Sequence, residues 1–180
     1  MLFGLIVFGA IVLVVFLLAT TYNGLITASE RAAGAWTELD SLLRQRHDEI
    51  PKLIELCERH LKHERAVFER VLAARTDVFG ARQTRAADVL SRAETTLRTE
   101  LAALIALAST NAELDASPAF GMLRQRNATL DGEIVERRAL YNEAAARYNA
   151  AIGRLPGNVV AVLGGFRPLA ALDVEVSSRA

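Results

Sequence analysis

Apolar residues crowd the opening of the chain. From Met1 to Ala19 no residue is charged, and Leu2, Phe3, Leu5, Ile6, Val7 and Phe8, then Ile11 through Leu18, dominate the run. A helix rising about 1.5 Å per residue from Leu2 through Leu18 and on through Thr20–Tyr22 covers the roughly 30 Å hydrocarbon core of a bilayer. Each such side chain favours insertion by about 0.3–0.6 kcal/mol near the bilayer centre, so the stretch inserts with several kcal/mol to spare. A cleaved signal peptide is the rival reading. It needs a basic start, an apolar run of only about 7–15 residues and a small-residue cleavage site; no Lys or Arg precedes this run, so the expectation is an anchor that stays attached. Arg31, Arg44, Arg46 and Lys52 follow the span, and the positive-inside rule then puts the rest of the chain in the cytoplasm, on the cell (inner) membrane.

After Asn23-Gly24 the pattern changes to apolar residues at three- and four-residue steps. Leu25, Ala28, Ala32, Ala35/Trp36, Leu39 and Leu42/Leu43 lead to Ile50, Leu53/Ile54, Cys57, Leu61, Phe68 and Val71/Leu72. This is a helical period. Pro51 interrupts it, and because proline lacks an N–H and disfavours helical geometry at Ile50, the chain must kink or start a fresh helix there; with no glycine or turn cluster alongside, the expectation is a kink. A clear break is expected at Phe79-Gly80, in a polar stretch reaching about Thr84. A further helix follows through Val89/Leu90, Leu97, Leu101 and Leu104/Ile105. Asp115-Ala116-Ser117-Pro118 reads as a second break, with serine able to cap and proline suited to a first turn. The last long helix carries Phe120, Leu123, Leu130, Ile134, Tyr141, Tyr148 and Ile152 and stops near Pro156-Gly157.

Long helices with short connections must bury their stripes against one another. The expected fold is therefore all-α: an N-terminal transmembrane helix (1–22) continuing without a linker into an antiparallel bundle of about four long helices (23–166), then a poorly ordered tail (167–180). The apolar residues Val159, Val160, Val162, Leu163 and Phe166 form a short segment that packs back on the bundle or touches the bilayer surface.

Charge changes the picture only by exclusion. Lys+Arg 21 against Asp+Glu 21 gives a formal net charge of zero, and without surplus basic charge a nucleic-acid partner is disfavoured. The single cysteine, Cys57, cannot form an intrachain disulfide and lies on the apolar stripe as a small hydrophobe.

Candidate chemistry is thin. His60, His63 and Glu64, with His47 beyond Pro51, suggest a metal-binding site or hydrolase. Yet bundle metal sites use Glu-x-x-His pairs, and the residues three before His47, His60 and His63 are Arg44, Cys57 and His60. Gly157-Asn158 and Gly164-Gly165 have no Lys-Ser/Thr ending and follow no strand, which excludes a phosphate loop. No serine or cysteine has a neighbouring base. The expectation is no enzyme activity, no cofactor and no bound metal. What remains is a charged and aromatic set, Trp36, Asp40, Arg44, Arg46, His47 and Asp48, together with Asp131 and Arg138 two turns apart on the last helix. These residues either lace the helices together or form an interaction surface. Asn127 and Arg137 also interrupt the last helix's seam, as register-setting polar residues do.

Several of these residues also carry a resemblance. Tyr22-Asn23-Gly24-Leu25, then Ala35-Trp36, Leu39-Asp40, Leu43, Arg46-His47-Asp48, Ile50-Pro51 and Leu53-Ile54-Glu55, followed by His63-Glu64 and Ala74-Arg75, resemble the LemA family of bacterial membrane proteins. Ile134, Arg138, Tyr141-Asn142, Tyr148-Asn149, Pro156, Asn158 and Gly165-Phe166 extend the likeness to nearly the whole chain. Departures from the family's pattern are Gln45 for a basic residue, Lys52 for Asn, Leu155 for Phe, and no aromatic-acidic ending after Arg167-Pro168. The resemblance implies a single N-terminal span and a bundle of long helices, and it brings no biochemical activity with it. The expected partners are the lipid bilayer and other proteins, a second copy of the chain among them, in a scaffold or adaptor role. Bilayer remodelling by self-association is a further alternative.

Overall fold

Pro51 does not end the first helix. In the computed structural model, which describes residues 2–84 and 86–172, α1 runs unbroken from Leu2 to Glu58. Proline at 51 cannot donate to the carbonyl of His47 four residues earlier, and a buried acceptor left unpaired is costly. Arg75 resolves this from a neighbouring helix: its Nε donates to the His47 carbonyl at 2.9 Å.

The remaining helices are α2 (Arg65–Thr84), α3 (Ala87–Ala108), α4 (Ala112–Asp115), α5 (Pro118–Gly153) and α6 (Gly157–Gly164), and no strand occurs among the described residues. The first break falls at residues 59–64 rather than at Phe79-Gly80. There the Cys57 carbonyl accepts from both His60 and Leu61 N–H, and Leu61 accepts from Glu64. α2 in turn passes through Phe79-Gly80. A mid-helix glycine costs only about 1 kcal/mol, and Phe79 and Arg82 on either side of it are engaged by α1. The breaks at 116–117 and near Pro156 lie where the turn chemistry predicts, and one more, at 109–111, falls where no break was expected. Asn111 caps α4 by accepting from Leu114 N–H at 3.0 Å, and Pro118 opens α5.

The helices divide into two compact units, to both of which α1 and α5 contribute. One comprises Glu38–Arg138 with Leu172. Its contacts set the direction of each helix. Asp40 and His47 of α1 meet Arg82 and Arg75 of α2, and Glu38 and Arg46 of α1 meet Arg137 and Asp131 of α5. Rising numbers on α1 match falling numbers on both partners, so α1 is antiparallel to α2 and to α5. α2 and α3 are joined by a short turn and cross-linked by Arg70 to Glu100 at 2.9 Å. The unit is thus an antiparallel four-helix arrangement of α1, α2, α3 and α5. Its core holds Leu39, Leu43, Ile50, Leu53 and Cys57 with Val71, Leu97, Leu101, Leu104, Phe120 and Leu130, each at most 3% exposed.

The second unit takes α1 up to Thr37 together with Ala139–Ala171. Trp36 meets Tyr141 edge-on at 5.3 Å, while Leu25 forms a small core with Val160 and Ala161 of α6. The 159–166 segment therefore does pack back on α1. The tail expected over 167–180 divides. Leu169 exchanges two hydrogen bonds with the Asn149 side chain, at 2.7 and 2.9 Å, and the Ala170 carbonyl accepts from the Tyr141 hydroxyl at 3.0 Å. Residues 173–180 lie outside the described residues.

Within α1 the stretch from Leu2 onward has a mean hydropathy of 3.1 over its most apolar window, none of it buried. By length and composition it can cross a membrane, and it continues into the helix that carries Trp36 to Asp48 with no boundary at residue 22.

Candidate functional site

The apolar stripe of α1 steps through Leu39 and Leu43 and then places a guanidinium where the period calls for another hydrophobe. Arg46 is 2% exposed. Its two terminal nitrogens reach in different directions, Nη1 to Asp131 Oδ1 of α5 at 3.2 Å and Nη2 to Glu94 Oε2 of α3. One cation thus ties three helices. Burial draws its pKa down to about 10, opposed by the charge and hydrogen bond of Asp131, with Arg98 and Arg138 pushing it lower. Arg46 therefore stays charged at neutral pH.

Around this pair is a cavity of about 10 Å³ lined by Arg46, Glu94, Thr95, Arg98, Asp131, Ile134, Val135 and Arg138. Small-molecule sites enclose roughly 300–1,000 Å³, so this space holds no substrate of ordinary size. Arg46 Nε and Glu94 Oε1 are buried without a hydrogen-bond partner among the described residues. Arg138 is half-buried, and its pKa is lowered first by that burial and then by the charge of Arg98.

Six residues earlier on α1, Asp40 accepts from Arg82 Nε at 2.7 Å and from Arg44 at 2.7 Å. Burial pushes the Asp40 carboxyl up, but the hydrogen bonds of Arg82 and Arg44 outweigh it and hold the pKa below the usual carboxylate value. His47 stacks on Phe79 at 5.2 Å between ring centres. Burial lowers its pKa first, Arg75 and Arg82 lower it further, and Asp48 opposes them. Of the predicted surface set, Arg46 lies in the interior, Asp40 and His47 are engaged by α2, and Trp36 is half-buried against Tyr141. Only Arg44 and Asp48 are left facing outward.

The histidines do not converge. His60 Nδ1 lies 3.2 Å from the Leu56 carbonyl and its Nε2 lies 3.8 Å from Glu113. His63 and Glu64 are exposed in the turn. Among the described residues no group of three or more His, Cys, Asp or Glu is placed to hold a metal ion. Burial pushes the Cys57 thiol up to about 11, which leaves it protonated and unreactive. A wider, shallow groove on α5 is lined by Pro118, Gly121, Met122, Gln125, Arg126 and Thr129. It presents no carboxylate or imidazole, and its one hydroxyl, Thr129, bonds the Gln125 carbonyl.

Three residues that complete the network, Glu94, Arg82 and Arg75, were not among the expected site residues. Glu94 had a signal: it lies between Leu90 and Leu97 on the stripe of α3, where a carboxylate is out of place unless paired. Arg82 and Arg75 sit among other charges on α2, and nothing in their spacing distinguishes them.

The sequence model of the LemA family matches residues 35–180, which takes in α1 from one residue before Trp36 and every later helix. None of the curated proteins compared with the chain matches it.

Proposed function

The chain belongs to the LemA family, and on that premise we propose that it is a non-enzymatic scaffold or adaptor, anchored once in a bacterial inner membrane, whose bundle faces the cytoplasm and holds protein partners there. Family membership and the helical fold fit a membrane-associated helical protein. The observation that carries the finer reading is the continuity of α1. One helix leads from an uncharged, uncovered stretch directly into the residue, Arg46, that locks α1 to α3 and α5. Anchor and bundle thus share one helix with no linker between them, which suits a scaffold more than a freely tethered catalyst. The internal charges are used on one another, which makes the network a register-setting device. Arg44 and Asp48, with Met122 on the open face of α5, are the exposed positions offered to partners.

Site-specific photocrosslinking in intact cells tests this reading. A benzoylphenylalanine at position 44, 48 or 122 is expected to give a reproducible adduct with one protein, and the adduct from position 122 is lost when Arg44→Glu and Asp48→Lys are combined with it. Adducts absent from all three positions, or unaltered by the charge reversal at 44 and 48, would count against the scaffold. An adduct only with the chain itself would favour self-association.

A further inference from the structure

From Leu155 to Phe166 the chain carries no charge, and Arg154 and Arg167 bracket the segment. One face of the α6 helix within it is covered. Val160 and Ala161 are buried against Leu25, with Leu18, Ala151, Ile152 and Phe166 packed around them, and Phe166 meets Tyr22 edge-on at 5.7 Å. The start of α6 is closely packed on α5, since any side chain at Gly157 would clash with the Ala151 carbonyl oxygen. The opposite face is bare. Val162 is 83% exposed, Leu163 79% and Leu155 78%. Val159, Val162 and Leu163 follow i, i+3, i+4 spacing and so form one strip.

A short helix apolar on both faces needs a second covering, and its place on α1 says which. The residues it packs against, Leu18 to Leu25, lie at the end of the uncharged stretch, since the first charged side chain of the protein is Glu30. Counting about 20 residues for a roughly 30 Å hydrocarbon core, α1 leaves lipid near Leu18–Tyr22. Tyr22 is an aromatic residue of the kind enriched at that boundary.

We propose that α6 is a membrane-surface helix. Its Val159–Val162–Leu163 strip, with Leu155, lies in the acyl-chain and headgroup boundary of the leaflet that α1 leaves. Arg154 and Arg167, both exposed, stand at its ends to meet lipid phosphates, as basic residues flanking interfacial helices do. The arrangement gives the protein a second membrane contact. It rests on the reading of α1 as a membrane span.

The test uses the full chain in vesicles of phosphatidylcholine and phosphatidylglycerol that contain nitroxide-labelled acyl chains. An NBD fluorophore is attached at Val162→Cys or Leu163→Cys, with Leu13→Cys as the reference inside the span. Cys57, buried and with its thiol at about 11, leaves the labelling selective. The proposal expects lipid nitroxide to quench positions 162 and 163 as strongly as position 13, with all three shielded from aqueous iodide. Quenching of 13 by nitroxide but of 162 and 163 by iodide overturns the surface helix and leaves the span standing. If neither quencher reaches 162 and 163, protein covers the strip, a second copy included, and the proposal is equally overturned. If lipid does not quench 13, the span itself fails and this inference with it.

Discussion

Arg75 Nε donates at 2.9 Å to the carbonyl oxygen of His47, the helical acceptor that Pro51 leaves open. A fully buried acceptor deprived of its donor costs about 1–3 kcal/mol, and this one, being part-buried, falls toward the lower end. Arg75→Ala is therefore expected to lower stability by about that amount, measured by thermal unfolding of the full chain in detergent. In a Pro51→Ala background the new N–H at 51 can serve the same carbonyl, so Arg75→Ala should cost clearly less there. Equal losses in the two backgrounds would show that Arg75 does not stand in for the missing helical donor.

Arg46 and Glu94 make a different prediction, because both are buried. Glu94→Ala leaves the guanidinium with only Asp131, and breaking a buried pair from one side costs about 3–5 kcal/mol. Replacing both with apolar residues, Arg46→Met with Glu94→Leu, removes the stranded charge. Asp131, with a side chain 34% exposed, can then turn to water. The double variant should be more stable than Glu94→Ala alone in denaturant titration. A double variant less stable than the single one would show that the pair does more than cancel its own burial.

Acid should destabilise the protein in two separate steps. His47 has its pKa lowered in the folded chain, so as pH falls below its ordinary value of 6.5 the unfolded chain takes up a proton that the folded chain resists. Stability drops from that point. Asp40, with its pKa lowered from 3.8, contributes stability that is present above that value and lost as pH falls below it. In His47→Gln the upper step disappears and the lower one remains. A Tm profile between pH 7 and 5 that is the same for this variant and the wild type would remove His47 from the account.

The helical period and the uncharged opening are local properties of the chain, and they were enough for the fold class, the run of helix across residue 22, the last two breaks and the short apolar element after Pro156. Asp115-Ala116-Ser117-Pro118 carries its own turn chemistry, and α5 begins at Pro118 as that chemistry dictates. The turn at residues 59–64 has no glycine or proline, so nothing local announces it. Phe79-Gly80 looks like a break and is not one, because contacts from α1 hold α2 helical past it. Arg46 and Asp131 could be singled out because a charge on a stripe asks for a partner; which carboxylate would answer could not.

By itself the sequence determined that the chain is helical, where its apolar stripes run, and that the first stretch is long and apolar enough to cross a membrane. Those properties depend on residues within a few positions of one another. Only the tertiary structure decided that α1 survives Pro51, that Arg46 turns inward to Glu94 and Asp131, and that α6 settles beside Leu18 and Leu25. Each of these depends on a group from a distant part of the chain, Arg75, Glu94 or Leu25, supplying a hydrogen bond, a countercharge or a surface that sequence neighbours cannot provide.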